Sequence, residues 1–353
     1  MNDIDDNIGN LIDPSEQVHS EQSDESSDSS DHSYQALSQD KVIDFVEQQG
    51  FFSDGRVFPL NSYENRVYQV GIEDNTPLVI KIYRPNRWSR DQIQEEHDFM
   101  LELADEDISV IPPIQINNKT LFEGDGFLYC LFERKSGRPL ELDQLDQLYE
   151  VGTQLGRIHQ VAARSAFTYR PELSLKTFGI DSIQTVKTSG MLPEYLIEPY
   201  QVLSEQLIEV MQSHWQAIKH QNIRLQGDFH PGNILIRDEQ PLFVDFDDCR
   251  SGLAIQDIWM LLSGDKHLQQ QQLSEVKEGY EMFREFPTTE IPLIETYRTL
   301  RQLHYAAWLA SRWDDPAFKV SFPWFGEERY WSEHILTLKE QLSALQEPAL
   351  KLL

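Results

Sequence analysis

Gly227-Asp228-Phe229-His230-Pro231-Gly232-Asn233 is a loop by its glycine and proline content, and it leads into the apolar run Ile234-Leu235-Ile236. A turn follows at residues 238–241, and Leu242-Phe243-Val244 then runs into Asp245-Phe246-Asp247-Asp248. A carboxylate, an amide five residues later and a second carboxylate at the end of a paired strand bring three oxygen groups toward one point. Phosphoryl transfer from a magnesium nucleotide needs such a set. One carboxylate orients the acceptor hydroxyl, while an Asn and an Asp hold hard cations against the phosphates. Acids that cap turns would explain either segment alone, but not the pair at this spacing with a strand beside each.

These loops interrupt a helical half of the chain. Apolar residues recur at helical intervals over 145–163, 195–220, 268–283, 294–312 and 327–345, which predicts five helices. The preceding residues have another character. A short helix is expected around Val42, Ile43, Phe45 and Val46, ending at Gly50, and alternation over 56–60, 66–71 and 78–83 predicts strands of an antiparallel sheet. A helix is expected over 91–103 with Ile93, Phe99, Met100 and Leu103 on one face, and two more strands over 111–116 and 127–133. The division expected is an acidic tail over 1–40, a sheet lobe over 41–135 and a helical lobe over 136–353. A cleft between the lobes is then the natural ligand site.

The chain has 353 residues, 40% of them hydrophobic, and a formal net charge of -29, enough length for two cores and too acidic for a nucleic-acid partner. Residues 1–40 hold eleven acids, nine serines and no Lys or Arg, so this segment cannot bury enough apolar surface to offset its ordering and is expected to be disordered. The plain reading of it is a solubilising tail, although its serines could enter an active site. Apolar runs are short and broken by charge, and Asp3, Asp5 and Asp6 stand where a secretory signal needs Lys or Arg. A cytoplasmic protein without a membrane partner is expected. Cys130 and Cys249 lie in apolar surroundings with no CxxC, as buried thiols rather than a disulfide or metal site.

The strings GDFHPGNILI and LFVDFDD resemble the catalytic and metal-binding loops of aminoglycoside phosphotransferase-type kinases, which share the protein kinase fold. NSYENRVYQV, VIKIYRPNRW, the EEH at 95–97, AIQDIWMLLSGD, RWDDPAF and FPWF extend the likeness to the bacterial stress response kinase A group, over residues 41–340. The resemblance implies an α+β, bilobal protein kinase-like fold with a small antiparallel-sheet N-lobe and a large helical C-lobe. It further implies that ATP and Mg2+ are used. By this resemblance Asp228 is the catalytic carboxylate, and Asn233 and Asp245 are metal ligands, Asp245 thereby also serving catalysis. Asp247 or Asp248 would support the loop through hydrogen bonds, His230 would be a packing residue, and Asp257 a buried acceptor for the catalytic-loop backbone. One departure is Gln226, where this family commonly has His.

Periodicity alone makes Lys81 an edge-strand residue with its amine in water. The resemblance makes it the cation that reaches the nucleotide phosphates. Its partner is expected to be Glu96, which has Phe99, Met100 and Leu103 at i+3, i+4 and i+7, leaving Glu95 turned toward solvent. Residues 60–65 contain no glycine and would otherwise be an ordinary hairpin turn, and the resemblance sets Ser62 over the phosphates. Glu133, Arg134 and Lys135 are the candidates for holding adenine through their backbone. Eleven residues separate Asp245 from Asp257, with no APE-like string, so control through a long activation loop is not expected. That brevity suits a small-molecule kinase of the aminoglycoside, choline or homoserine type, the alternative reading. The resemblance instead implies an ATP-dependent serine/threonine protein kinase that also modifies itself and acts in stress survival, and a monomer is expected. Trp308, Trp313, Trp324 and Trp331 are expected to be core packing.

Overall fold

The structure, a computed structural model, describes Tyr34 and residues 37–60 and 62–353. The disorder expected for the tail therefore falls largely outside the described residues. The first helix, α1 (Gln39–Glu47), begins inside the range assigned to the tail, because Ser38 caps it by accepting from the Lys41 N–H. Tyr34, also within that range, lays its ring parallel to Phe127.

Five antiparallel strands form the smaller lobe: β1 (Ser53–Leu60), β2 (Arg66–Ile72), β3 (Leu78–Ile82), β4 (Phe122–Gly124) and β5 (Phe127–Glu133), in the order β1-β2-β3-β5-β4. Alternation sends Ile80 and Ile82 to one face, where they pack with Val70, Tyr129, Leu131 and the α1 residues Val42, Phe45 and Val46. On the other face lies α2 (Arg90–Asp105), started by a reciprocal Ser89–Gln92 capping box. Its buried side carries Glu96 and His97 beside Ile93, Phe99, Met100 and Leu103. Residues 111–116 do not form the expected strand and make only single bridges. Pro112 and Pro113 supply no N–H donors, so a ladder cannot continue there.

In the larger lobe α3 (Leu145–Ala162) packs on a later helix of residues 266–280 closely enough that a Cβ at Gly279 would lie 2.0 Å from the Tyr149 carbonyl oxygen. Helix α4 (Asp181–Thr188) follows a wide turn over residues 175–180, against which α5 (Glu194–Gln216) packs. Four short strands then set the two polar loops. Strands β7 (Ile223–Leu225) and β8 (Ile234–Arg237) flank the first, and β9 (Gln240–Phe243) and β10 (Arg250–Gly252) flank the second. Strand β10 pairs with β7, while β8 pairs with β9 and with the two-residue β6 (Arg138–Pro139). Both loops thus emerge at neighbouring strand ends. The chain closes with α6 (Gln256–Trp259), α7 (Lys266–Tyr280), α8 (Ile294–Arg312), α9 (Pro316–Ser321) and α10 (Glu328–Leu345). Trp331 is fully buried within the aromatic packing of the last helices. Both cysteines are buried free thiols, and burial pushes each up to about 12. Among the described residues no helix is long and apolar enough to cross a membrane.

Candidate active site between the lobes

The loop from Gln226 to Asn233 is held by backbone bonds to buried side chains. Asp257 accepts the N–H groups of Gln226 and Gly227, each at 2.9 Å. Asp257 also faces His159 Nε2 at 3.3 Å. Because a carboxylate only accepts, that nitrogen donates, and His159 Nδ1 takes the Tyr280 hydroxyl at 3.0 Å. Burial lowers the His159 proton affinity, against the pull of Asp257, and favours this neutral form. Gly227 has φ +88°, and a Cβ there would lie 2.3 Å from the Asp248 carbonyl oxygen, so only glycine fits.

Gln226, the departure from the family pattern, joins the two loops. Its Oε1 accepts the Asp228 N–H at 2.8 Å, and its Nε2 donates to the Asp245 carbonyl at 2.6 Å. Asn233 Nδ2 donates to the Asp228 carbonyl at 3.0 Å, which leaves its amide oxygen for another partner. His230 caps the turn by accepting the Gly232 N–H at 3.0 Å, and its Nε2 is 3.6 Å from Asp228 Oδ2. Arg301, from α8, brings NH1 to 2.8 Å from Asp228 Oδ1, an ion-pair approach in which that oxygen receives no hydrogen bond.

Lys81 projects from β3 into a group of acids and is buried. Its Nζ lies 3.1 Å from Glu96 Oε1, 3.0 Å from Asp247 Oδ1 and 3.6 Å from Asp245 Oδ1. Burial alone would lower its proton affinity, but Asp247, Glu96 and Asp245 outweigh it and hold the amine charged far above its ordinary range. Asp247 is also paired with Arg87, and although burial opposes it, Arg87 and Lys81 pull its carboxyl down to about 2. Arg87 reaches Asp248 at 2.9 Å as well. Asp245 differs from its neighbours: its side chain is 58% exposed toward the cleft.

Arg170 sits behind this group, donating to Glu96 Oε2 at 2.7 Å and to the Asp247 carbonyl at 2.6 Å. Glu95 is not simply solvated, as expected from its helix position. It accepts the successive N–H groups of Thr168, Tyr169 and Arg170, so both carboxylates of the pair serve α2. Ser62 lies between β1 and β2 in a segment fastened to the larger lobe. Beside it, the Tyr63 ring meets Phe322 at 4.7 Å, and the Glu64 carboxylate accepts from Trp308 Nε1 and, at 3.0 Å, from Arg312 Nε. Glu133 ends β5 opposite Leu78, with Lys135 paired to it, and Arg134 Nε donates to Gln69 Oε1 at 2.9 Å. All three side chains are exposed at the connector between the lobes.

Arg87, Arg170, Arg301 and Glu64 were not singled out from the sequence. An Arg in RPNR and an Arg on a helix have no spacing rule linking them to a distant Asp, and only the number of acids near Asp245 hinted that cations must converge there. The donor set also bears on a metal. Among the described residues no three His, Cys, Asp or Glu side chains form a cage. The Asn233 amide oxygen and the cleft-facing Asp245 carboxylate are two hard oxygen donors, a set suited to an ion that completes its shell with phosphate oxygens and water.

Residues 56–302 match the phosphotransferase enzyme family, and the chain belongs to that family. Within it the chain groups with the stress response kinase A proteins. It is 44% identical over 319 residues to stress response kinase A of Escherichia coli O157:H7, covering 90% of this chain and 97% of the relative. Identity to the serine/threonine protein kinase RdoA of Salmonella typhimurium is 43% with the same coverage. Among solved structures, an amicoumacin kinase in complex with AMP-PNP, Ca2+ and Ami shares the fold at 18% identity, with a TM-score of 0.69 and coverage of 88% of this chain and 94% of that one. The α+β, two-lobed architecture is thus that of a phosphotransferase.

Proposed function

We propose that this chain is an ATP-dependent serine/threonine protein kinase that phosphorylates protein hydroxyls, its own included, and acts as a cytoplasmic monomer in stress survival. The observation that carries this reading is the fastening of the Asp228 and Asp245 loops to each other through Gln226, with Lys81 3.6 Å from Asp245. Asp228 orients the acceptor hydroxyl and takes its proton late in the transfer. Lys81, kept charged and fixed by Glu96, reaches the phosphates, and Ser62 covers them from the β1–β2 segment. The backbone of Glu133, Arg134 and Lys135 holds adenine. Asn233 and Asp245 hold Mg2+, which when bound neutralises charge on the phosphates.

Identity of 43–44% to proteins named stress response kinase A and serine/threonine protein kinase RdoA supports a protein acceptor. Arg301 supports it too, since a guanidinium 2.8 Å from Asp228 would repel a cationic aminoglycoside or choline from the carboxylate it must reach. The test is labelled ATP and magnesium with and without a generic protein substrate. The Asp228→Asn variant should keep its fold and nucleotide affinity while transfer falls by about 10²- to 10⁴-fold. Near wild-type turnover in that variant would remove Asp228 from the reaction.

A further inference from the structure

Arg301 has company along its helix. Trp308 and Arg312 follow it at i+7 and i+11, on the same face of α8, and both reach Glu64 at the far end of the cleft. The stripe therefore runs from the carboxylate of Asp228 to the β1–β2 segment, about 16 Å along the helix. Arg301 keeps 28% of its side chain exposed and Arg312 26%, so donors remain for an outside partner. Each guanidinium is paired with one carboxylate, Asp228 or Glu64, and the N–H groups it keeps exposed beside the acceptor position can receive a further negative group next to the hydroxyl.

The chain carries a segment of that composition, and it begins at the end of this path. Tyr34 donates its hydroxyl to the Glu64 carbonyl at 2.9 Å, under the Arg66 guanidinium 4.5 Å from its ring. The side chain of the same Glu64 contacts Trp308 and Arg312. Immediately upstream, residues 20–33 contain seven serines and five acids. Five to seven residues can span at most about 16–25 Å, which covers the length of the stripe and brings residues 27–29 within range of Asp228.

Resting on the kinase reading above, we propose that the Arg301–Trp308–Arg312 face of α8 is an acceptor groove for acidic, serine-rich segments, and that residues 20–33 of this chain are such an acceptor. Arg301 is the specificity-determining residue: it holds the acid beside the target serine while Asp228 takes the hydroxyl proton. The serine oxygen bonds to the γ-phosphorus of ATP, the bond from that phosphorus to the β–γ bridging oxygen breaks, and ADP leaves. Each phosphate adds negative charge to the segment and strengthens its repulsion from the acidic body once it is off the groove.

The full chain, incubated with ATP and magnesium, should carry phosphate on serines between Ser20 and Ser33 by mass spectrometry. Added synthetic peptides provide the second arm: the sequence of residues 20–33, and the same peptide with Asn for Asp and Gln for Glu. The acidic peptide should be preferred about tenfold in kcat/KM. Arg301→Gln, which also removes the guanidinium beside Asp228, should change transfer to both peptides but cut the acidic-over-neutral preference from about tenfold to about twofold, while Arg301→Lys restores most of the preference. An unmodified tail beside a phosphorylated generic substrate overturns the proposal, as does an acidic-over-neutral preference that is unchanged in Arg301→Gln. Calorimetric titration with ATP and magnesium separates these from failure of the kinase reading, in which neither nucleotide binding nor transfer to any protein is found.

Discussion

Asp245 shows how much one residue can be asked to do. Its φ of +54° lies in the left-handed region, where a side chain costs about 1–2 kcal/mol, yet the position carries a cleft-facing carboxylate. A glycine there would relieve the backbone and remove the donor. Asp245→Ala and Asp245→Gly should therefore weaken magnesium-nucleotide binding alike, while the glycine variant is more stable than the alanine variant by about 1 kcal/mol. Calorimetry with ATP and magnesium, together with urea unfolding of both variants, checks this. Unchanged nucleotide affinity would remove Asp245 from metal binding. Equal unfolding midpoints would mean the strain is absorbed elsewhere.

At the scale of elements, α2 is positioned from both ends of its short acidic run. Glu96 meets Lys81 and Arg170 on the inside, while Glu95 accepts three successive backbone N–H groups from residues 168–170. That loop belongs to the larger lobe, so Glu95 ties the helix to the segment that carries Arg170. Glu95→Gln keeps the shape but exchanges one accepting oxygen for an NH2, and the charge is lost. It should cost about 1.5–3 kcal/mol of stability and raise the KM for ATP by letting Arg170 and Glu96 drift. A thermal midpoint and ATP KM both equal to wild type would show the three bonds to be incidental. Residues 111–116 teach the opposite lesson, because apolar alternation predicted a strand and two prolines overruled it.

For the whole molecule, histidines packed into the interior help set the response to acid. Burial, then Lys81 and Arg170, lowers His97 to about 3, and burial, then Arg250 and Arg301, lowers His304 to about 3. Burial alone lowers His334 to about 4. Each ring binds its proton less readily when folded than when unfolded. Stability is thus complete above about pH 6.5 and falls as pH drops toward the folded values. His334 lies among Tyr200, Tyr330 and Trp331 with no partner for Nε2, so His334→Phe should be tolerated at pH 7.5. At pH 5 it should recover roughly 2 kcal/mol, read as a smaller shift of the urea midpoint between the two pH values. The tail makes a second prediction at this scale. Deleting residues 1–33 should leave ATP binding and transfer to an added protein within a few-fold of the full chain. Extending the deletion to residue 36 removes Tyr34, with its bond to Glu64 and its packing on Phe127, and should lower stability by about 1–2 kcal/mol. Equal thermal midpoints for the two truncations would show that Tyr34 contributes nothing.

The sequence by itself determined what is local. Helix 294–312 was legible from apolar spacing alone, and the two polar loops from residue types within a few positions of each other, because caps, turns and periodicity act over three or four residues. Family resemblance, carried by longer strings such as VIKIYRPNRW, extended this to Lys81, and helix spacing chose Glu96 over Glu95. Tertiary structure alone decided which distant charges meet. Arg301 stands 73 positions from Asp228, Arg87 stands 160 from Asp247, and Glu64 stands 248 from Arg312. No spacing rule links such residues. Their approach follows from the pairing of β7 with β10 and the packing of α8 along the cleft, and buried carboxylates there are tolerable only because that packing also delivers the guanidinium groups that neutralise them.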